Sequence, residues 1–104
     1  MFGDIINELF GVMLISQFWL EGKCYDYKIP NKNILIECDG KHWHSSPEAI
    51  ENDKIKNEIA QRNGYVLYRF AINEVKEVKL VIEKNKELLR EIMEIEKLQK
   101  KYDE

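Results

Sequence analysis

Long hydrophobic runs are absent from this sequence of 104 residues. No stretch approaches the roughly 20 consecutive apolar residues that a membrane-spanning helix needs, so we expect no membrane partner. The apolar segment at the N-terminus contains Asp4 and Glu8 and lacks a basic start, which does not fit a secretory signal peptide. Internal repeats and low-complexity tracts are also absent. We therefore expect a cytoplasmic globular protein.

Cysteine is scarce, since the chain has only Cys24 and Cys38. Without a secretory signal, both thiols are expected to be reduced. Two cysteines and two histidines at these spacings also fail to match a structural zinc site. The fold must therefore be held together by its hydrophobic core.

An excess of positive charge is absent too, and the formal net charge of −3 argues against a protein that coats nucleic acid. The charges are unevenly distributed, because eight basic and seven acidic residues lie between Lys23 and Arg69. If Asp26, Glu37 and Asp39 hold a divalent metal, the eight bases face only four other acids. The overall acidity is therefore compatible with a phosphate-bearing partner such as DNA.

Hydrophobic periodicity and turn residues predict a single α/β domain with a mixed four-stranded sheet. The turn signals are Glu21-Gly22, Pro30 to Asn33 and Asn63-Gly64. The predicted elements are a helix over 3–15, a strand-turn-strand over 17–29, a strand over 34–39, a helix over 47–62, a strand over 65–70 and a last helix. We expect the core to span about residues 3–75.

The last helix is predicted to run from about residue 74 to 102, which is longer than so small a core can cover. Its apolar residues recur at three- and four-residue spacing, with Asn85 at one of the remaining positions of the same stripe. Two arrangements fit this pattern: a helix folded back on the sheet, or a helix that pairs with a second copy of the chain. The second arrangement would make a homodimer with two sites.

The segment "ILIECDGKHWH", over residues 34–44, changes from a buried strand to a run of acids and imidazoles. Side chains two apart on a strand share a face, so Glu37 and Asp39 point the same way, and the Cys38 carbonyl lies near them. Asp26 can reach the same place from an adjacent antiparallel strand. This set of oxygen ligands suits a hard cation, and we predict bound Mg²⁺, for which Mn²⁺ can substitute.

Histidines follow the acids at a turn that Gly40 permits, so His42 and His44 can fold back over the predicted metal site. Imidazoles transfer protons at neutral pH. Asp53 on the next helix is placed to orient a histidine or to hold a metal-bound water. A metal, carboxylates and a histidine together supply what phosphodiester hydrolysis requires.

The residues "YDYKIPNKNILIECDG", the trailing histidine, the helical aspartate, "GYVLYRF" and "NEV" occur in a distinctive order. In this order and spacing, about Gln17 to Val75 resembles the very-short-patch-repair (Vsr-like) branch of the PD-(D/E)XK nuclease superfamily. The resemblance implies a restriction-endonuclease-like α-β-β-β-α-β core in a bacterial or phage-encoded protein. It also implies DNA as the partner.

The resemblance assigns a role to each matching residue. Asp26, Glu37 and the Cys38 carbonyl would bind the metal. Asp39 stands where the superfamily usually has lysine and patch-repair enzymes have histidine, and it would support the metal or its water. His44 would act as the catalytic histidine and Asp53 would assist it. The contacts to DNA would come from Lys41, His42, Trp43 and Arg69.

The chain departs from the family at two further points. It lacks the cysteine-rich zinc site of true patch-repair enzymes, so recognition of T:G mismatches is not expected. The family's N-terminal helix often supplies a glutamate, for which Asn7 or Glu8 stands here.

Taken together, the residues and the resemblance predict a Mg²⁺-dependent DNA endonuclease. The alternative is a catalytically inactive nucleic-acid-binding or assembly module on the same fold.

Overall fold

The computed structural model describes residues 2–40 and 46–93. Its helices are α1 (Phe2–Phe10), α2 (Pro47–Arg62), α3 (Val78–Lys84) and α4 (Lys86–Met93), with a 3₁₀ turn over Val75–Glu77. Its strands are β1 (Ile15–Leu20), β2 (Lys23–Lys28), β3 (Ile34–Asp39) and β4 (Val66–Ala71). The Lys41, His42, Trp43 and His44 predictions lie outside the described residues. No helix within the described ranges is both long enough and apolar enough to span a membrane.

The four strands form one mixed sheet in the order β1-β2-β3-β4, which confirms the predicted α/β class. Strand β2 pairs antiparallel with both β1 and β3, and β4 runs parallel to β3. Helix α2 makes the crossover that a parallel pair requires. In β3, Leu35 and Ile36 are both fully buried, as expected for an inner strand with helices on both faces.

Local signals in the sequence explain where the elements begin and end. The β1–β2 hairpin turns at Glu21 and Gly22, both with positive φ, as a two-residue type I′ turn needs. Helix α2 begins after Ser46, whose hydroxyl accepts a hydrogen bond from the Ala49 amide. It ends at Arg62 with Asn63 as its C-cap, and the following Gly64 has a φ of 80°. These boundaries match the predicted ones.

Each face of the sheet carries its own hydrophobic core. The core on one face comes from α1, α3 and α4 with the sheet residues Ile36 and Phe70. The core on the other face is smaller and is built from Tyr25, Leu35 and Ala60, the last on α2. The strand end at Asp39 therefore lies between two helical layers.

The helices at the two ends of the chain differ from the prediction. Helix α1 ends at Phe10 rather than residue 15, because Gly11 adopts a left-handed conformation (φ 69°) that terminates the helix. The long last helix is interrupted at Asn85, whose side-chain amide donates to the Val81 carbonyl at 2.8 Å. This bond occupies a helix carbonyl and favours a local turn over regular continuation.

The apolar stripe of the last helix packs within this chain as far as the structure describes it. Val78 and Ile92 of this stripe are buried in the core shared with α1, and Val81 and Leu88 are partly buried against the same core. The helix therefore folds back on the sheet over residues 78–93. Residues 94–102 of the predicted helix lie outside the described part, and the homodimer stays a prediction.

Candidate metal centre

Asp26, Glu37 and Asp39 converge at the C-terminal end of β3, as the strand pattern predicts. Each offers one carboxylate oxygen, and these oxygens all lie within 4.8 Å of one another. Glu37 is buried, whereas the two aspartates are half-buried. Three carboxylates this close repel one another unless cations compensate them. Positively charged groups near the three carboxylates are therefore needed to stabilise this arrangement.

Asp26 reaches the cluster because the β1–β2 hairpin changes face at this residue. Tyr25 packs against α2, whereas Tyr27 packs against Phe2 on the opposite face. Residues two apart on a regular strand would share a face. Opposite Asp26, Gln17 has a left-handed backbone (φ 51°) that breaks the alternation of β1.

The twist at Asp26 also redirects a hydrogen bond of the sheet. Regular pairing of β2 with β3 is confined to Tyr27 and Lys28. Beyond it, Asp26 Oδ2 accepts a hydrogen bond of 2.8 Å from the Cys38 amide. The Asp26 carboxylate thereby replaces the backbone carbonyl that would accept this hydrogen bond in a regular sheet. The bond holds the carboxylate beside Glu37. The predicted metal role of the Cys38 carbonyl stays a prediction.

Glu37 is paired with a lysine that the sequence reasoning did not single out. Lys56 Nζ on α2 lies 2.6 Å from Glu37 Oε1, and the two residues are 8% and 3% exposed. Burial raises the pKa of the Glu37 carboxyl, although the hydrogen bond from Lys56 acts in the opposite direction. The ammonium also lies over the Tyr25 ring, 4.8 Å from its centroid.

A signal for Lys56 was present in the sequence. Ile59 and Ala60 lie three and four residues after Lys56, and both are buried against the sheet. A lysine in line with two core residues lies on the apolar side of its helix. A buried lysine needs an acidic partner, and Glu37 is the buried acid of the facing strand.

Arg69 pairs with two of the predicted site acids. Its Nε lies 3.4 Å from Asp39 Oδ2, and its Nη2 lies 3.8 Å from Asp53 Oδ1. Strand β4 places Arg69 directly beside Glu37 in the parallel register. Asp53 is thus paired with Arg69 beside the cluster, and its predicted role in catalysis stays a prediction. Arg69 bridges it to Asp39, a role that the sequence reasoning did not predict.

Asn7 and Glu8, the suggested contributors from the N-terminal helix, are both exposed on α1. Neither belongs to the carboxylate cluster among the residues that the structure describes. His44 and the predicted DNA contacts Lys41, His42 and Trp43 cannot be placed, because they lie outside the described residues. The described centre thus consists of four acids and two bases.

Cys38 lies on the face opposite to Glu37 and Asp39, as strand alternation predicts, and packs against the larger core. Burial raises the pKa of its thiol to about 12, and the negative charges of Asp26, Asp39 and Glu37 add to the shift. The thiolate is the nucleophilic form, so Cys38 is expected to be inert near neutral pH.

We expect iodoacetamide at pH 8 to modify Cys24 and leave Cys38 unmodified in the folded protein. Peptide mapping by mass spectrometry would measure the modification of each cysteine. Denaturation in guanidinium should make both react equally, which serves as the control. Rapid alkylation of Cys38 in the native protein would contradict the raised pKa of its thiol.

The donors of the centre suit a divalent cation. Four carboxylates (Asp26, Glu37, Asp39 and Asp53) and two bases (Lys56 and Arg69) meet here among the described residues. Hard cations prefer carboxylate oxygens as ligands. The donor set therefore fits Mg²⁺ or Mn²⁺.

Comparisons with protein-family models, with curated proteins and with solved structures found no match for this chain. The resemblance to Vsr-like nucleases therefore stays a prediction carried by the sequence motifs. The geometry and charge of the centre are independent of that resemblance, since they come from the chain's own contacts.

Proposed function

We propose that this protein is a Mg²⁺-dependent DNA endonuclease of the Vsr-like PD-(D/E)XK type. The observation that carries the proposal is the convergence of Asp26, Glu37 and Asp39, with their oxygens within 4.8 Å, at the end of an inner strand. The sequence motifs suggest DNA as the substrate.

In this proposal, Asp26, Glu37 and Asp39 would hold the metal. A bound Mg²⁺ activates water and neutralises phosphate charge in phosphodiester hydrolysis. Lys56 keeps Glu37 ionised and in place within a buried environment, and Arg69 fixes Asp39 relative to Asp53. His44 is assigned to proton transfer at the leaving group, as the family resemblance implies.

A plasmid-nicking assay tests the proposal. Supercoiled DNA should be relaxed by the wild-type protein in Mg²⁺ or Mn²⁺ and remain intact in EDTA. The Asp39→Asn variant, purified in the same way, should nick at least about tenfold more slowly, because partners of metal sites typically contribute 10–100-fold. Equal rates for both proteins would indicate a contaminating nuclease, and an inactive wild type would refute the proposal.

One observation favours the alternative of an inactive nucleic-acid-binding module. Glu37 is already paired with Lys56, and Asp39 with Arg69, so the acids have structural partners in the absence of metal. Such a module would bind DNA equally in EDTA and in Mg²⁺, and Asp39→Asn would leave that binding unchanged. Metal-dependent cleavage would exclude the alternative.

A further inference from the structure

A cleft of about 440 Å³ opens beside Asp26, on the sheet face that α1 and α3 cover. Its sides come from β1 and from the segment between β4 and α3, and Tyr27 and Cys38 line it as well. Its volume falls within the range of roughly 300–1,000 Å³ that is typical of small-molecule sites. Asp26 belongs both to this cleft and to the carboxylate cluster. An occupant of the cleft would therefore lie next to the candidate metal centre.

The walls of the cleft combine apolar surfaces with uncharged hydrogen-bonding groups. Phe2 and Tyr27 contribute two neighbouring rings, 5.5 Å apart between centroids, and Val78 adds an aliphatic side chain. Ser16 and Gln17 on β1, whose side chains carry a hydroxyl and an amide, also line the cleft. An amide both donates and accepts hydrogen bonds, so it can pair with the edge of a heterocycle.

The charged groups of the cleft are acidic. Asp26 and Glu74 carry the charges, and neither lysine nor arginine occurs among its described lining residues. Lys76 pairs with Glu74 at 3.2 Å from an exposed position outside the lining. Carboxylates repel phosphate but accept hydrogen bonds from N–H groups. The charge therefore selects a neutral ligand rich in N–H donors.

We propose that this cleft binds an unpaired nucleobase of the nucleic acid strand that the metal centre cleaves. The inference rests on the proposed function for the identity of that strand. Unpaired bases present N–H donors that a duplex would occupy in base pairs, and their apolar faces suit aromatic and aliphatic walls. The preferred substrate is accordingly single-stranded or contains an unpaired nucleotide beside the cleaved bond.

A duplex is a poorer ligand for the cleft because the base would first have to leave its stack, at an energetic cost that is lowest for mismatched or single-stranded DNA. Gln17 can contribute to this preference because it lines the cleft and carries an amide. Its backbone is left-handed at the point where the hairpin changes face. Glycine adopts the same backbone without strain, so Gln17→Gly removes the amide and preserves the turn.

Fluorescence anisotropy in EDTA tests the inference without cleavage. The probes are a labelled 12-nucleotide single strand of mixed sequence and an abasic strand of equal length. The wild-type protein should bind the base-bearing strand at least about tenfold more tightly, since stacking on protein side chains favours each bound base. Val75→Trp, at an exposed residue of the cleft wall, should reduce this ratio towards one.

Leu80→Trp is the matched control, because Leu80 is a similarly exposed aliphatic residue that does not line the cleft. It should keep the wild-type ratio, whereas Gln17→Gly should lower it while circular dichroism shows an unchanged fold. Equal binding of the two strands by the wild type would overturn the inference, as would equal effects of the two tryptophans.

The two proposals can fail separately. Plasmid nicking by a protein that binds the base-bearing and abasic strands equally would refute the nucleobase cleft and still support the endonuclease. Base discrimination without metal-dependent nicking would support the cleft and refute the endonuclease.

Discussion

Lys56→Met is expected to lower the free energy of unfolding by about 3–5 kcal/mol in the absence of divalent metal, because it leaves a buried carboxylate without its partner. Glu37 is 3% exposed, and Lys56 Nζ is its ion-pair partner at 2.6 Å. Methionine keeps most of the lysine's length, so the loss reports the charge rather than a cavity. Urea unfolding at pH 7.5 in EDTA measures it.

Lys54→Met is the control for Lys56→Met, because Lys54 is exposed on the same helix and should change stability little. Adding Glu37→Gln to Lys56→Met should recover most of the loss, since the remaining buried groups are neutral. Mn²⁺ should stabilise Lys56→Met more than the wild type, because it supplies the missing positive charge. A loss below about 1 kcal/mol would contradict the pairing, since it would fall in the range of exposed ion pairs.

The loss caused by Lys56→Met should also depend on pH. The folded-state pKa of Glu37 is already raised by burial in the wild type, and removal of Lys56 takes away the hydrogen bond that lowers it. The folded state therefore binds a proton at a higher pH than the unfolded state does, so acidification favours folding. The loss in free energy of unfolding relative to wild type should therefore be full above the folded-state pKa of Glu37. It should shrink as the pH falls through that pKa.

Asp26→Asn is expected to reduce metal-dependent cleavage by more than about a hundredfold, because even outer partners of a metal site contribute about 10–100-fold. Asparagine keeps an oxygen that can accept the 2.8 Å hydrogen bond from the Cys38 amide, so the fold should persist. The variant isolates the charge of Asp26 from its structural bond. Nicking rates and Mn²⁺ titration by calorimetry measure the two effects.

Glu83→Gln is the matched control for Asp26→Asn, because it removes one negative charge from an exposed position on α3. It should cleave at the wild-type rate and bind Mn²⁺ with unchanged affinity. Undiminished nicking by Asp26→Asn would remove Asp26 from the catalytic centre. Unfolding of Asp26→Asn would instead show that the bond to Cys38 requires the charge.

Local rules were sufficient to predict most of the fold. The turns at Glu21-Gly22 and Asn63-Gly64 depend on Gly22 and Gly64, which adopt a left-handed backbone without strain, and the start of α2 depends on Ser46 and Pro47. Such signals act over a few residues and can be read directly. The break at Asn85 could not be read from the sequence. Asparagine is compatible with a helix, and the break depends on the hydrogen bond that its side-chain amide donates to the Val81 carbonyl.

The site was predictable to the extent that it follows from strand geometry. The period of a strand places Glu37 and Asp39 together, and antiparallel pairing brings Asp26 close. The pairing of Glu37 with Lys56 and of Asp39 with Arg69 joins separate elements, and spacing along one element does not encode it. The face change at Asp26 was likewise missed, because Gln17 is not a residue type that announces positive φ.

The left-handed Gln17 also affects how the protein behaves at high concentration. Strand β1 is an edge of the sheet, and it exposes the large apolar side chains of Ile15 and Trp19. A straight edge of this kind invites strands of other molecules to pair with it, which leads to aggregation. Gln17 divides β1 into two residues before it and three after it, too few for a stable foreign ladder. The same backbone irregularity that positions Asp26 thus keeps neighbouring molecules from joining their sheets.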